Sequence, residues 1–245
     1  MFDATRMALM RGDHPRRHEP VPARRYALLI DVGGEDEAPG GALDRRTLEN
    51  PRRDATALTV VDVESSGQRP MYRTVDRRLW LGVRHSALYE QITALTHHWG
   101  AGWVVVDATG VGAGLASFLQ QALPGRVIPV TFSPQVKSDL GWGFLAVVET
   151  GRYRDYVEDG AADTRQFWYE VAHCERQVGA SDAKALRWGV WESPAYDGLI
   201  ARGHDDLLLS AALCAILDRQ ARCGTGASAV VEAPDLLGEV DRASW

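Results

Sequence analysis

Residues 103–123 read WVVVDATGVGAGLASFLQQAL, and the fold class follows from the change of period inside this stretch. Trp103 to Asp107 is a short apolar run closed by an aspartate, the pattern of a strand buried on both faces. Gly110, Gly112 and Gly114 open an amphipathic helix that carries its apolar side chains at helical spacing through Leu123. A buried strand that turns through glycine into an amphipathic helix is the building unit of layered α/β domains.

Upstream, Leu88, Ile92, Leu95 and Trp99 mark a helix over His85 to Trp99. Before it come three strand-like runs: YALLIDV (Tyr26 to Val32), ATALTVVDV (Ala55 to Val63) and MYRTVDRRLWLG (Met71 to Gly82). Two antiparallel neighbours of the first strand are the simplest arrangement. Downstream, Arg126 to Phe132 reads as another strand. Ser133 and Pro134 supply an N-cap and a first helical residue for a helix reaching toward Thr150. Thr164 to Gln177 reads as a helix and Lys184 to Trp191 as a strand or hairpin. LLLSAALCAILDRQ, after Asp206, is a helix so apolar that it must be largely buried. The expected architecture is α/β, a mixed central β-sheet flanked by helices. Residues 1–25 read as a linker or arm, 26–220 as the folded domain and 221–245 as a flexible tail. The 33–54 loop is long and rich in Pro, Gly and Arg, which suits a mobile or functional segment.

The chain has 245 residues, 45% of them hydrophobic and 24% charged, which excludes a disordered, collagen-like or disulfide-scaffold protein. No stretch reaches the roughly 18–20 apolar residues of a membrane span, and the N-terminus lacks the apolar core of a signal peptide. Three cysteines with no CxxC pair point to a reducing compartment and away from zinc. The net charge of −6 is unusual for a free-standing, tight nucleic-acid binder. Yet 25 of the 27 basic residues are Arg, whose planar donors suit phosphates.

Acidic residues stand at the ends of separate buried elements. Asp31 closes the first strand and Asp107 the fourth, so both fall at the carboxyl edge of the sheet, where α/β proteins bind ligands. Asp205 and Asp206 head the apolar helix. Taken singly, each has an ordinary explanation as a turn, cap or first-turn acid, and His204 reads as a turn residue. Taken together, converging carboxylates repel one another and call for a divalent cation. Oxygen-only donors favour a hard ion, Mg²⁺ or Mn²⁺.

IDVGG with RDATALTVVDV, then VVVDATGVGAG, then GHDDLLLSAALCAIL resemble the acidic motifs of the nuclease domain of viral large terminase subunits, a ribonuclease H-like family. FSPQVKSDLGWGFLAVVETGRYR is similar to that family's helix and following turn, so the resemblance spans roughly residues 26–220. It implies a metal-dependent endonuclease that cleaves concatemeric viral double-stranded DNA during genome packaging, by two-metal-ion phosphodiester hydrolysis. Asp31 would bridge two divalent cations and Asp107 would bind one. Asp205 and Asp206 match the third motif, with the principal ligand of the two left open. Asp54 matches an auxiliary acid, or is a loop-to-strand turn residue. Lys137 matches a lysine of the family's helix, or is a solvated helix residue. Arg52, Arg53, Arg77, Arg78 and Arg84 are candidates for the DNA backbone, each also readable as a surface charge.

The family joins its nuclease to an ATPase motor, but no GxxxxGK[ST] loop occurs here, which suggests an excised domain or a split gene. The implied partners are that motor, a small terminase subunit and a portal, in the host cytoplasm and without a membrane. Two other readings stay open. A resolvase or transposase core shares the nuclease fold. An actin-like phosphotransferase half would use the Gly110–Gly114 turn as a phosphate cradle.

Overall fold

The computed structural model describes residues 1–34, 55–65, 67–179, 185–191 and 204–223, the last three by backbone alone. In chain order the elements are α1 (Ala4–Met10), β1 (Tyr26–Asp31), β2 (Thr56–Glu64), β3 (Met71–Trp80), α2 (His85–His98), β4 (Trp103–Asp107), α3 (Gly112–Ala122) and β5 (Val127–Val130). They continue with α4 (Pro134–Glu149), β6 (Tyr153–Arg154), α5 (Ala162–His173), β7 (Cys174–Val178), β8 (Leu186–Val190), α6 (Asp206–Ala212) and α7 (Cys214–Cys223).

Six strands form one mixed sheet in the order β5-β4-β1-β2-β3-β6. β1 has one antiparallel neighbour, β2, and one parallel neighbour, β4. The expected pair of antiparallel neighbours is therefore corrected: β3 pairs with β2 instead. Alternation along β1 splits its side chains between two cores. Tyr26, Leu28 and Ile30 pack with Leu88, Ile92, Leu115 and Leu119 of α2 and α3. Ala27 and Leu29 face the opposite layer, built from α1, α4, α5, α6 and α7. Burial on both faces explains why β1 is apolar from Tyr26 to Ile30.

The Ser-Pro start of α4 is as the sequence predicts, with Ser133 Oγ accepting from the Val136 amide at 3.2 Å. The predicted helix over Thr164 to Gln177 ends early. Its last residues form β7, which pairs antiparallel with β8 as a separate two-stranded sheet. The late apolar helix is two helices, α6 and α7, divided by a tightened turn at Leu213.

Residues 1–25 are not an arm but a packed part of the domain. Phe2 and Met10 are buried in the α4–α7 core, and Arg6 pairs with Glu149 of α4 at 2.6 Å. Arg16 ties Asp76 of β3 to Asp163 of α5 at 2.7 and 2.8 Å. Seven residues of helix are too short to declare themselves by period, so tertiary contacts, added to the Asp3 cap on the Arg6 amide, order this segment.

Candidate metal centre

β1 and β4 run parallel, with Ile30 opposite Val106. One residue further, Asp31 and Asp107 end their strands side by side at the same sheet edge. Strand alternation turns Asp31 to the face of Leu29 and Asp107 to the face of Val105, toward the layer that contains α6. Both carboxylates are buried, at 7% and 8% exposure.

α6 brings the remaining acids. All seven of its residues are buried, and Ser210 Oγ donates to the Leu29 carbonyl at 2.8 Å while standing 2.9 Å from Thr59 Oγ1. That contact seats the helix across β1 and β2, with its N-terminus over the aspartates. Asp206 Oδ2 accepts from the Ala55 amide at 2.9 Å, just before β2. Asp205 Oδ2 lies 3.5 Å from Lys137 Nζ of α4. Lys137 is further placed by Trp188 of β8, which donates from Nε1 to the Lys137 carbonyl at 2.8 Å and puts its ring 5.6 Å from the ammonium. His204 is buried, with Nδ1 3.9 Å from Asp206 Oδ2.

The electrostatics record the convergence. Burial pushes the Asp31 carboxyl well above the usual carboxylate range, and Asp206, Asp107 and Asp205 push it further, while Lys137 acts the other way. Burial also raises Asp107, offset in part by hydrogen bonding from Thr109, whose amide donates to Asp107 Oδ1 at 2.7 Å. Among the described residues, no three His, Cys, Asp or Glu side chains stand close enough to enclose an ion as they are. The fit lies in the donor chemistry. Buried, mutually repelling carboxylates with one lysine among them are the oxygen-rich, net-negative setting that suits a hard divalent cation.

Three contributors escape a reading of the sequence. Glu170 of α5 is buried, accepts from Gln166 Nε2 at 2.9 Å and accepts from the Leu208 amide of α6 at 2.8 Å. Burial raises its carboxyl well above the usual range, and Asp206 adds to the rise. Gly189 leaves room for Asp205, because a Cβ there would stand 2.7 Å from Asp205 Oδ2. Thr109 orients Asp107. No motif marks Glu170 or Gly189, whose meaning depends on which element lies opposite, while Thr109 stands within VVVDATGVGAG and acts on Asp107 locally.

The arginine candidates divide. Arg77 is fully buried, donating to both oxygens of Asp155 at 2.9 and 2.8 Å and lying 4.0 Å from the Phe167 ring centroid. It is a core ion pair, which corrects its assignment to the DNA backbone. Arg78 and Arg84 are exposed, and Arg78 pairs with Asp76 at 3.0 Å. Arg52, Arg53 and Asp54 lie outside the described residues, as do most of the 33–54 loop and residues 224–245.

A family model described as the terminase RNaseH-like domain matches residues 46–216. No curated protein matches closely enough to carry an inference. Among solved structures, the chain is similar to the large terminase nuclease of thermophilic phage G20c with bound magnesium, at 19% identity and TM-score 0.60. That match covers 86% of this chain and 95% of the other. It is similar to the large terminase nuclease domain of Thermus phage P74-26, at 18% identity and TM-score 0.56, covering 86% and 93%. It is also similar to the nuclease domain of the large terminase subunit gp2 of bacterial virus Sf6, at 12% identity and TM-score 0.52, covering 88% and 97%. At these identities the structures speak to the fold, which is ribonuclease H-like.

Proposed function

This chain belongs to the terminase RNaseH-like domain family, and from that premise we propose that it is the endonuclease that cuts concatemeric viral double-stranded DNA during genome packaging. The observation that supports the reading most is that Asp107, from a neighbouring strand end, and Asp205 and Asp206, from the start of α6, act together on the buried carboxyl of Asp31. Asp31 and Asp107 would hold the ions from the sheet edge, and Asp205 and Asp206 from α6. Mg²⁺ and Mn²⁺ suit this donor set, and a related phage nuclease carries magnesium. When bound, a pair of divalent cations supplies an acidified water and neutralises charge on the leaving 3′ oxygen of a phosphodiester.

The protein's own groups do the rest. The Thr109 amide fixes one Asp107 oxygen. The Ala55 amide fixes one Asp206 oxygen. Lys137, partly exposed beside Asp205, places a positive charge where a backbone phosphate would approach. Arg78 and Arg84, with Arg52 and Arg53, would track the duplex. The same reading implies a packaging ATPase, a small terminase subunit and a portal as partners in the host cytoplasm. A nuclease domain held near DNA by such a motor needs little affinity of its own, which accommodates the net charge of −6.

Plasmid digestion tests the reading. Wild-type protein is expected to cut supercoiled DNA with Mn²⁺ or Mg²⁺ and to stop with EDTA, and Asp31→Ala and Asp107→Ala are expected to lose at least about 100-fold, roughly 2.7 kcal/mol of barrier. Digestion by both variants at the wild-type rate would remove the assignment.

A further inference from the structure

The N-terminus of α6 departs from the usual chemistry of helix starts. Aspartate is a preferred N-cap because its side chain accepts from an amide of the first turn. Asp205 occupies the N-cap, yet its side chain makes no capping hydrogen bond. Its Oδ2 turns toward Lys137 at 3.5 Å, through the space that Gly189 leaves open. The first-turn amide of Leu208 would be orphaned in a buried helix start, an expensive omission. Glu170 Oε2 takes that amide at 2.8 Å from the neighbouring helix. Gln166, one turn earlier on α5, holds the other Glu170 oxygen at 2.9 Å. Glu170 is itself 1% exposed, so neither water nor a mobile side chain substitutes for it.

We propose that Glu170 is a positioning residue of the nuclease site: by capping α6 from α5 it releases the Asp205 carboxylate from its own helix to face the metal centre. The division of labour explains a buried glutamate beside other acids, where an apolar residue would pack at lower electrostatic cost. It also explains why two adjacent aspartates at one helix start have separate tasks. Asp206 is anchored to the Ala55 amide, while Asp205 remains available. The inference rests on the reading of the four aspartates as a metal site.

Mn²⁺ titration at 25 °C, followed by calorimetry or by the loss of the free-ion electron paramagnetic resonance signal, separates the possibilities. Folding of each protein is checked by near-ultraviolet circular dichroism. Glu170→Gln keeps an acceptor oxygen, with the Gln166 amide turned over to match it, and is expected to bind within about threefold of wild type. Glu170→Met keeps the volume without the acceptor and is expected to bind about 10–100-fold more weakly, the usual cost of losing a group that orients a ligand. A second substitution covers the case in which Glu170→Met folds poorly. Asp205→Ala alone, with Glu170 still holding the Leu208 amide, is expected not to lower the melting temperature, whereas in the Glu170→Met background, where Asp205 is the side chain left to cap α6, it is expected to lower it further. Wild-type affinity in Glu170→Met, equal loss in the Gln and Met variants, or the same fall in melting temperature from Asp205→Ala in both backgrounds would each overturn the role given to Glu170. Failure of the wild type to bind Mn²⁺ at all would instead overturn the metal-site reading on which it rests.

Discussion

Asp31 sits where ionisation is disfavoured, at a buried strand end with three other aspartates acting on it. The folded chain therefore holds this proton more tightly than the unfolded chain does. The stability so contributed is complete below the unfolded pKa of about 4, and it is lost as pH rises to the raised folded value. Asp31→Asn removes the loss because it is neutral throughout. Without divalent ions, the variant is expected to melt about 2–4 °C above wild type at pH 7, the shift that 1 kcal/mol produces in a chain of this size, and close to wild type near pH 4. Added Mg²⁺ is expected to raise the melting temperature of the wild type and not of the variant. Equal melting at pH 7 without metal would show that Asp31 carries no such strain. At this scale the sequence was informative wherever an acid ended an apolar element, because ALLID and VVVD leave a carboxylate few places to go. It was silent on Glu170, which looks like any polar residue of an amphipathic helix until α6 is placed against it.

Among elements, the parallel pairing of β1 with β4 and the seating of α6 across β1 and β2 bring the acids together. The strands and the longer helices were legible because period and capping are local properties. β7 was not: CERQV continues a helical run in sequence, and only pairing with β8 makes it a strand. Arg77 shows the same limit. In MYRTVDRRLW it has the look of a surface charge, but α5 covers that face of β3 and Asp155 follows β6 to meet it. The pair joins β3, β6 and α5, so Arg77→Ala should leave Asp155 buried without its guanidinium. The expected cost is about 3–5 kcal/mol, read as a lower urea midpoint. An unchanged midpoint would contradict this account of how α5, and with it Glu170, is held.

For the whole molecule, the first 25 residues belong to the folded unit that carries the site. Phe2 and Met10 fill the core shared by α4 and α7, and Arg16 bridges β3 and α5. Deleting residues 1–17 is expected to destabilise the protein by about 3–6 kcal/mol from the two apolar side chains alone, at about 1.5–3 kcal/mol each. A deletion variant with the wild-type urea midpoint would return this segment to the status of a linker. The proposed action on DNA requires a chain of net charge −6 to concentrate its cations locally, with Asp31, Asp107, Asp205 and Asp206 given to metal. The most direct measurement of that claim is a crystal structure of the protein soaked in Mn²⁺, with anomalous differences recorded at the manganese edge. Anomalous peaks are expected in contact with the Asp31 carboxylate and shared with Asp107 and with Asp205 or Asp206. Manganese bound only elsewhere, with these four aspartates left without an ion, would contradict it.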